Sequence, residues 1–342
     1  MPTAPDATTA RLRVTARELV GGRRGILAAD ESIATMSVRL EKAGVTPTEV
    51  SRRDYRELLV TTPELHEGIS GVILCDETLR QQLADGRPFA RALHDSGMLP
   101  GIKVDTGTRH LPGTSGELIT EGLDGLDARL AEYAELGARF AKWRAVIRIG
   151  VGTPGLWALK ANAHVLARYA MACQHAGIVP VVEPEILMDG DHSIWRCASV
   201  TATTLTTVTR ALTDAGVDFS AMVLKPNMVV PGDGCLQRCT PPEVARATAD
   251  VLGAVLPDDL AGVAFLSGGQ DPATATDNLA AMQEIDTPWP LTFSFGRALV
   301  SRPLLEWRGV PGRVAAAQAV LSQLVGSNIA VLRGSRAPLQ PV

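Results

Sequence analysis

Aromatic side chains are scarce, at 4% of 342 residues, which argues against a sugar or base clamped between stacked rings. Cysteine offers no scaffold: Cys75, Cys173, Cys197, Cys235 and Cys239 are odd in number and form no C-x-x-C pair. That pattern argues against a disulfide framework or zinc knuckle and fits a reducing cytoplasm. The six histidines stand singly, without H-x-H or H-E-x-x-H spacing, so no metal centre and no metal cofactor are expected. Neither sign of charge prevails, with 33 Lys+Arg against 37 Asp+Glu and a net charge of −4. This balance excludes a disordered chain and argues against a basic nucleic-acid-binding face. No run approaches the roughly 18 apolar residues that a spanning helix needs, and Met1 to Val20 lacks the apolar core of a secretion signal. The expectation is a soluble cytoplasmic protein with neither nucleic acid nor membrane as partner.

What is present is apolar residues, at 46%, drawn mostly from Ala, Val, Leu and Ile, which suit parallel strands buried on both faces. Eight short apolar runs end in charged or hydroxyl residues: Gly25–Asp30, Gly71–Asp76, Gly101–Asp105, Phe140–Ile149, Ile178–Ile186, Met222–Met228, Gly262–Gly269 and Leu291–Arg297. Helical periodicity fills the intervals, as in Leu126, Leu130, Tyr133 and Leu136. Further helices are predicted over Glu77–His94, Leu156–His175, Ala198–Ala215, Pro242–Val255 and Pro272–Glu284. Eight alternations over about 300 residues predict an α/β fold, a single (β/α)8 TIM barrel. A doubly wound open sheet is the alternative, but Gly25–Asp30 is no Gly-rich dinucleotide turn. The barrel is assigned to residues 9–333, between a flexible segment at 1–8 and a tail at 334–342.

In such barrels chemistry sits at the C-terminal strand ends, where this sequence places Asp30, Asp76 with Glu77, Lys103, Lys142 with Arg144, Glu183 with Glu185, Lys225, Ser267, and Ser294 with Arg297. Charges there are costly to bury unless they meet one another or a ligand. Only five lysines exist, and three of them lie in strands. A lysine among other cations in a desolvated mouth is disposed to lose its proton and act as a Schiff-base nucleophile; phosphate anchoring or ion pairing is the competing reading. Lys142 and Arg144, like Glu183 and Glu185, are two apart and face one side of a strand. Paired carboxylates raise one pKa and suit proton shuttling, or one of them counters a lysine. Ser267-Gly268-Gly269 and Ser294-Phe295-Gly296-Arg297 follow strands seven and eight, where barrels bind phosphate. Lys103 and Arg144 with Ser32, Thr35 and Arg39 are candidates for a second anion site. Two such sites around a lysine imply a sugar-like substrate phosphorylated at both ends.

The ordered motifs GILAADES (25–32), GVILCDETL (71–79), DGRPF (85–89), GIKVD (101–105), GLDGL (122–126) and FAKWR (140–144) carry a family likeness. So do ANAHVLARYA (161–170), GIVPVVEPEIL (177–187), DGDH (189–192), LKPNMV (224–229), FLSGGQ (265–270) and TFSFGRAL (292–299). From about Ala10 to Asn328 the chain resembles class I fructose-bisphosphate aldolase, the metal-free Schiff-base type of glycolysis and gluconeogenesis. The resemblance implies that Lys225 forms the imine with fructose 1,6-bisphosphate and that Glu183, beside Glu185, is acid and base in carbinolamine dehydration. It implies that Asp30 accepts the C4 hydroxyl proton and that Lys142 keeps Lys225 deprotonatable. Ser267, Gly268, Gly296 and Arg297 would hold the nearer phosphate, and Lys103, Arg144, Ser32, Thr35 and Arg39 the distal one. It further implies a homo-oligomer, usually a tetramer.

Two departures stand out. Thr35 and Val38 replace the serine and lysine usual in animal and plant members. Many members end in a tyrosine that helps move the proton at C3 of the enamine, whereas this chain has no tyrosine after Tyr169. Accumulation of the enamine is the expected consequence. Cleavage of fructose 1-phosphate or another phosphorylated ketose, and a non-catalytic scaffold, are the alternatives.

Overall fold

A computed structural model of the chain describes residues 7–334. Eight parallel strands close into a barrel in which each neighbours the next in sequence. In order they are Gly25–Ala29, Ile69–Leu74, Leu99–Lys103, Phe140–Ile147, Val179–Ile186, Val223–Leu224, Val263–Phe265 and Leu291–Phe295. The open sheet is thereby excluded. Helices join the strands, and several begin where the sequence supplies a cap. Thr48 and Ser51 form a reciprocal capping box ahead of Glu49–Val60, Thr240 and Glu243 do the same at Pro241–Val255, and Asp271 caps Pro272–Gln283. Such caps satisfy backbone N–H groups that lack intrahelical partners.

Side-chain alternation along a strand divides the barrel into an outer and an inner set. On the fourth strand Trp143 packs outward on Tyr169, with ring centroids 5.4 Å apart, and the Tyr169 hydroxyl donates to the Ala141 carbonyl at 2.7 Å. Inward, Phe140 joins Ile26, Ile73, Val179, Val181 and Val223 in an apolar layer. Helix Ala7–Val20 covers that layer from below through Leu12, Ala16 and Leu19. Above it the interior turns polar, at Lys142 and Arg144 of the same strand. The apolar floor seals the barrel, so a ligand can approach the charged layer only from the C-terminal end.

Three differences from the sequence reading have local causes. Glu77–His94 is not one helix but two, Asp76–Arg80 and Phe89–Asp95. Gly86 at φ +87° and the following Pro88 make a turn between them, the turn chemistry of Asp-Gly followed by Pro. A hairpin, Gly107–His110 with Leu118–Glu121, stands between the third and fourth strands. The N-terminal segment is helical from Ala7, while residues 1–6 and the tail at 335–342, including the chain end without tyrosine, lie outside the described residues. Among the described residues one segment, Pro311–Leu332, is long and apolar enough to cross a membrane by length and composition. Its Ala317, Leu321, Leu324 and Val325 are nevertheless buried in the main core.

Phe140 fits the inner layer because Gly101 and Gly71 flank it. A Cβ at Gly101 would come within 2.2 Å of the Phe140 ring. Gly101→Ala is therefore expected to cost about 1–3 kcal/mol by overpacking, read as a lower denaturant midpoint with an unchanged slope. An unchanged midpoint would show that the ring has room to yield.

Candidate active site

The strand ends converge on a cavity of about 570 Å³. Asp30 reaches it from the end of the first strand, Lys142 from the fourth, Glu183 and Glu185 from the fifth, and Lys225 from just after the sixth. Ser267, Gly268, Ser294, Gly296 and Arg297 line it from the turns of strands seven and eight, and Ser32, Thr35, Arg39, Lys103 and Arg144 from strands one, three and four. The residues singled out from the sequence thus share one space, except Asp76 and Glu77 after the second strand, which pair with Arg80 and Arg52 away from the cavity.

At the centre is a chain of alternating charge. The Lys142 Nζ lies 2.6 Å from Asp30 Oδ2 and 3.3 Å from Glu183 Oε2. Glu183 Oε1 lies 3.1 Å from Lys225 Nζ. Lys142, Glu183 and Lys225 are all buried. Burial disfavours every charge, yet each ion has an opposite neighbour. Burial alone would raise the Asp30 pKa, but Lys142 and Lys225 bring it from the ordinary 3.8 down to about 2. Glu183 is likewise pushed up by burial and pulled further down by Lys225, Lys142 and Arg144, and ends below the usual carboxylate range. Desolvation works against the Lys142 ammonium, but Asp30 and Glu183 outweigh it and raise the pKa above that of an ordinary lysine.

These directions favour, of the readings that the sequence left open, ion pairing for Lys142 and a lysine counter-charge for Glu183. Lys142 is not a lysine among cations that sheds its proton; it is held as a cation by two carboxylates. The Glu183 and Glu185 pair does not yield a raised pKa at Glu183, because Glu183 faces Lys142 and Lys225 while Glu185 pairs with Arg144. Nor is the mouth a cationic funnel, since six acidic and six basic side chains line it. Arg39 pairs with Glu31, Lys103 with Asp105 and Arg144 with Glu185. Arg297 is the cavity cation without a carboxylate partner among the described residues.

Sequence reasoning missed those acidic partners. Asp105 closes the GIKVD run; its Oδ1 lies 2.7 Å from Lys103 Nζ, and its carboxylate accepts the backbone N–H of Gly107 and of Arg144. Glu31 follows Asp30 directly. Their only signal in the sequence is adjacency, as carboxylates next to strand-end residues already chosen. Thr106 and Thr108 also line the cavity, but they belong to the hairpin side, which no apolar run announces.

The turn after strand seven is built for an anion. Gly268 and Gly269 take φ of +55° and +97°, Gln270 N–H closes the turn on the Ser267 carbonyl at 2.9 Å, and the Arg297 guanidinium lies 3.6 Å from the space above Gly269. Gly296 starts helix Arg297–Trp307, so an N-terminus with free N–H groups faces the same space. The buried Ser294 hydroxyl has no partner among the described residues. On the other side, Ser32 caps helix Ile33–Lys42, accepting from Thr35 N–H at 3.2 Å.

The sequence matches the family described as fructose-bisphosphate aldolase class-I over residues 11–337. The chain belongs to the class I fructose-bisphosphate aldolase family. It is 48% identical to a probable fructose-bisphosphate aldolase class 1 of Xanthomonas campestris pv. campestris over 320 residues, 93% of this chain and 96% of that one. It is 47% identical to cytosolic fructose-bisphosphate aldolase 5 of Arabidopsis thaliana over 321 residues, 93% of this chain and 89% of that one. A solved fructose-bisphosphate aldolase from Plasmodium falciparum, in complex with TRAP and a small-molecule inhibitor, superposes with a TM-score of 0.96 at 42% identity, covering 98% of each chain. The protein is accordingly a lyase that cleaves fructose bisphosphate, and the scaffold alternative falls away.

Asp30 contributes stability that is fully present above the ordinary pKa of 3.8 and is lost as pH falls through its folded value of about 2. Lys142→Met removes the closest cation and leaves the burial, so the Asp30 pKa is expected to rise by about one unit or more. Carboxyl ¹³C titration of the two proteins measures this. A value still at about 2 in the variant would show that Lys142 does not hold the charge.

Proposed function

We propose that this aldolase works through a covalent imine at Lys225, without a metal, on fructose 1,6-bisphosphate. The observation that carries the reading is the contact of Lys225 Nζ with Glu183 Oε1 at 3.1 Å. Glu183, kept ionised by its cationic neighbours, accepts a proton from the Lys225 ammonium and frees the amine. The amine adds to the C2 carbonyl. Glu183 then returns that proton to the C2 oxygen to give the carbinolamine, takes a second proton from the nitrogen and passes it to the same oxygen, so that water leaves and the iminium forms. Lys142 stays charged beside both carboxylates and stabilises the oxygen as it gains negative character. Glu185, paired with Arg144, sets the upper edge of this arrangement.

The iminium draws electrons from the C3–C4 bond. Asp30, whose low pKa keeps it an anion, takes the C4 hydroxyl proton as that bond breaks. Glyceraldehyde 3-phosphate departs as the aldehyde, and the bonding pair becomes the enamine. Protonation at C3 and hydrolysis of the imine release dihydroxyacetone phosphate and restore Lys225. Ser267, Gly268, Ser294, Gly296 and Arg297 hold the phosphate on C1, a role that suits Arg297, which has no carboxylate partner among the described residues. Lys103, Arg144, Ser32, Thr35 and Arg39 receive the phosphate on C6, each cation exchanging a carboxylate for it. Fructose 1-phosphate, lacking the second phosphate, uses only the first of these sites. A cytoplasmic homo-oligomer, a tetramer as is usual in the family, is the form in which we expect the enzyme to act; the cytosolic plant relative supports the location.

Borohydride reduction with dihydroxyacetone phosphate, followed by peptide mapping, tests the imine. A stable adduct at Lys225, absent from Lys225→Ala, is expected, and an adduct elsewhere or none would overturn the assignment. In the same framework Arg297→Ala is expected to lower kcat/KM for both fructose phosphates by about tenfold or more, and Arg39→Ala for the bisphosphate alone.

A further inference from the structure

Arg56 lies in helix Glu49–Val60, outside the barrel, and its guanidinium is among the most deeply buried groups in the protein at 1% exposure. It does not line the cavity. Its Nε donates to the carbonyl of Ala29 at 3.2 Å, and its Nη2 donates to the carbonyl of Glu31 at 2.8 Å. Those carbonyls belong to the residues on either side of Asp30. The same Nη2 lies 3.9 Å from the Glu31 carboxylate, which also pairs with Arg39. One rigid, planar cation therefore holds the peptide group that enters Asp30 and the one that leaves Glu31, spanning Asp30 from both sides.

A buried guanidinium is expensive, and the Nη1 of Arg56 has no hydrogen-bond partner among the described residues. Two carbonyl bonds and one carboxylate at 3.9 Å are modest compensation for stability alone. The geometry serves precision instead. Asp30 is the first residue after the first strand, on the short connection to helix Ile33–Lys42, where no strand pairing fixes its backbone. Misplacement of a reacting group by about 1 Å can cost a factor of about 100 in rate.

We infer that Arg56 is a positioning residue for C–C bond cleavage: by gripping the Ala29 and Glu31 carbonyls it sets the aim of the Asp30 carboxylate. This rests on the proposed role of Asp30 as the base at the C4 hydroxyl. Imine formation at Lys225 uses Glu183 and does not require Asp30, so the two half-processes separate the effect.

The test compares the full-length wild type, Arg56→Lys and Arg56→Met. Borohydride trapping of dihydroxyacetone phosphate at Lys225 is expected to stay within about twofold in all three, while kcat for fructose 1,6-bisphosphate cleavage falls about 10- to 100-fold in Arg56→Met with little change in KM. Arg56→Lys recovers part of the loss, because an ammonium reaches one carbonyl but cannot bridge two. In an Asp30→Asn background Arg56→Lys costs little more, since its target is already gone. Cleavage at the wild-type rate in either variant would overturn the inference. So would a parallel loss of trapping and cleavage in Arg56→Lys, which is the mark of a merely structural residue, as would additive losses in the Asp30→Asn background. A wild type that forms no adduct at Lys225 would instead refute the imine reading itself.

Discussion

The alternation of Asp30, Lys142, Glu183 and Lys225 across the barrel is the constraint on which the rest of the molecule depends. Taken singly, each of these ions is too costly to bury. Taken together they form a line in which every charge meets an opposite one, at 2.6, 3.3 and 3.1 Å. Only a closed barrel delivers strands one, four, five and six to a common axis with side chains pointing inward. The apolar floor of Phe140, Val179 and Val223, capped by helix Ala7–Val20, keeps water from reaching the cluster from below.

The same arrangement explains how a protein of net charge −4 handles a doubly phosphorylated sugar. Its cavity is balanced rather than positive. Arg39, Arg144 and Lys103 are each neutralised by a carboxylate, so a phosphate at these positions gains a cation only by displacing an anion. Arg297 needs no such exchange, which singles out the turns of strands seven and eight as the firmer anchor. In this way electrostatics orders the two ends of the substrate as well as binding them.

Much of this was legible in the sequence, and the failures are physical. Strand-end residues could be read because charge inside a Val- and Ile-rich run stands out, and Leu156–His175 was read to its ends because its apolar period is unbroken. The pKa directions could not be read, since they depend on which opposite charge comes within about 4 Å across strands. Asp105 and Glu31 carry no signal of their own in the sequence, because each ends or follows an apolar run beside a residue whose charge already stands out, and their pairing with Lys103 and Arg39 exists only in the fold. The hairpin at Gly107–His110 and Leu118–Glu121 was missed because it has no apolar run. Arg56 was invisible for a further reason: a charged residue on an outer helix reads as solvated, and only the fold buries it.

The lysine inventory makes the central claim directly measurable, because only five lysines are present. Lysine-selective ¹⁵N or ¹³C labelling resolves the Lys142 side chain, which single substitution to methionine assigns. An ordinary lysine loses its proton near about pH 10.4. Lys142, held between Asp30 and Glu183, is expected to remain an ammonium through that range. If instead Lys142 titrates below the ordinary lysine value, the buried line of alternating charge does not exist as described.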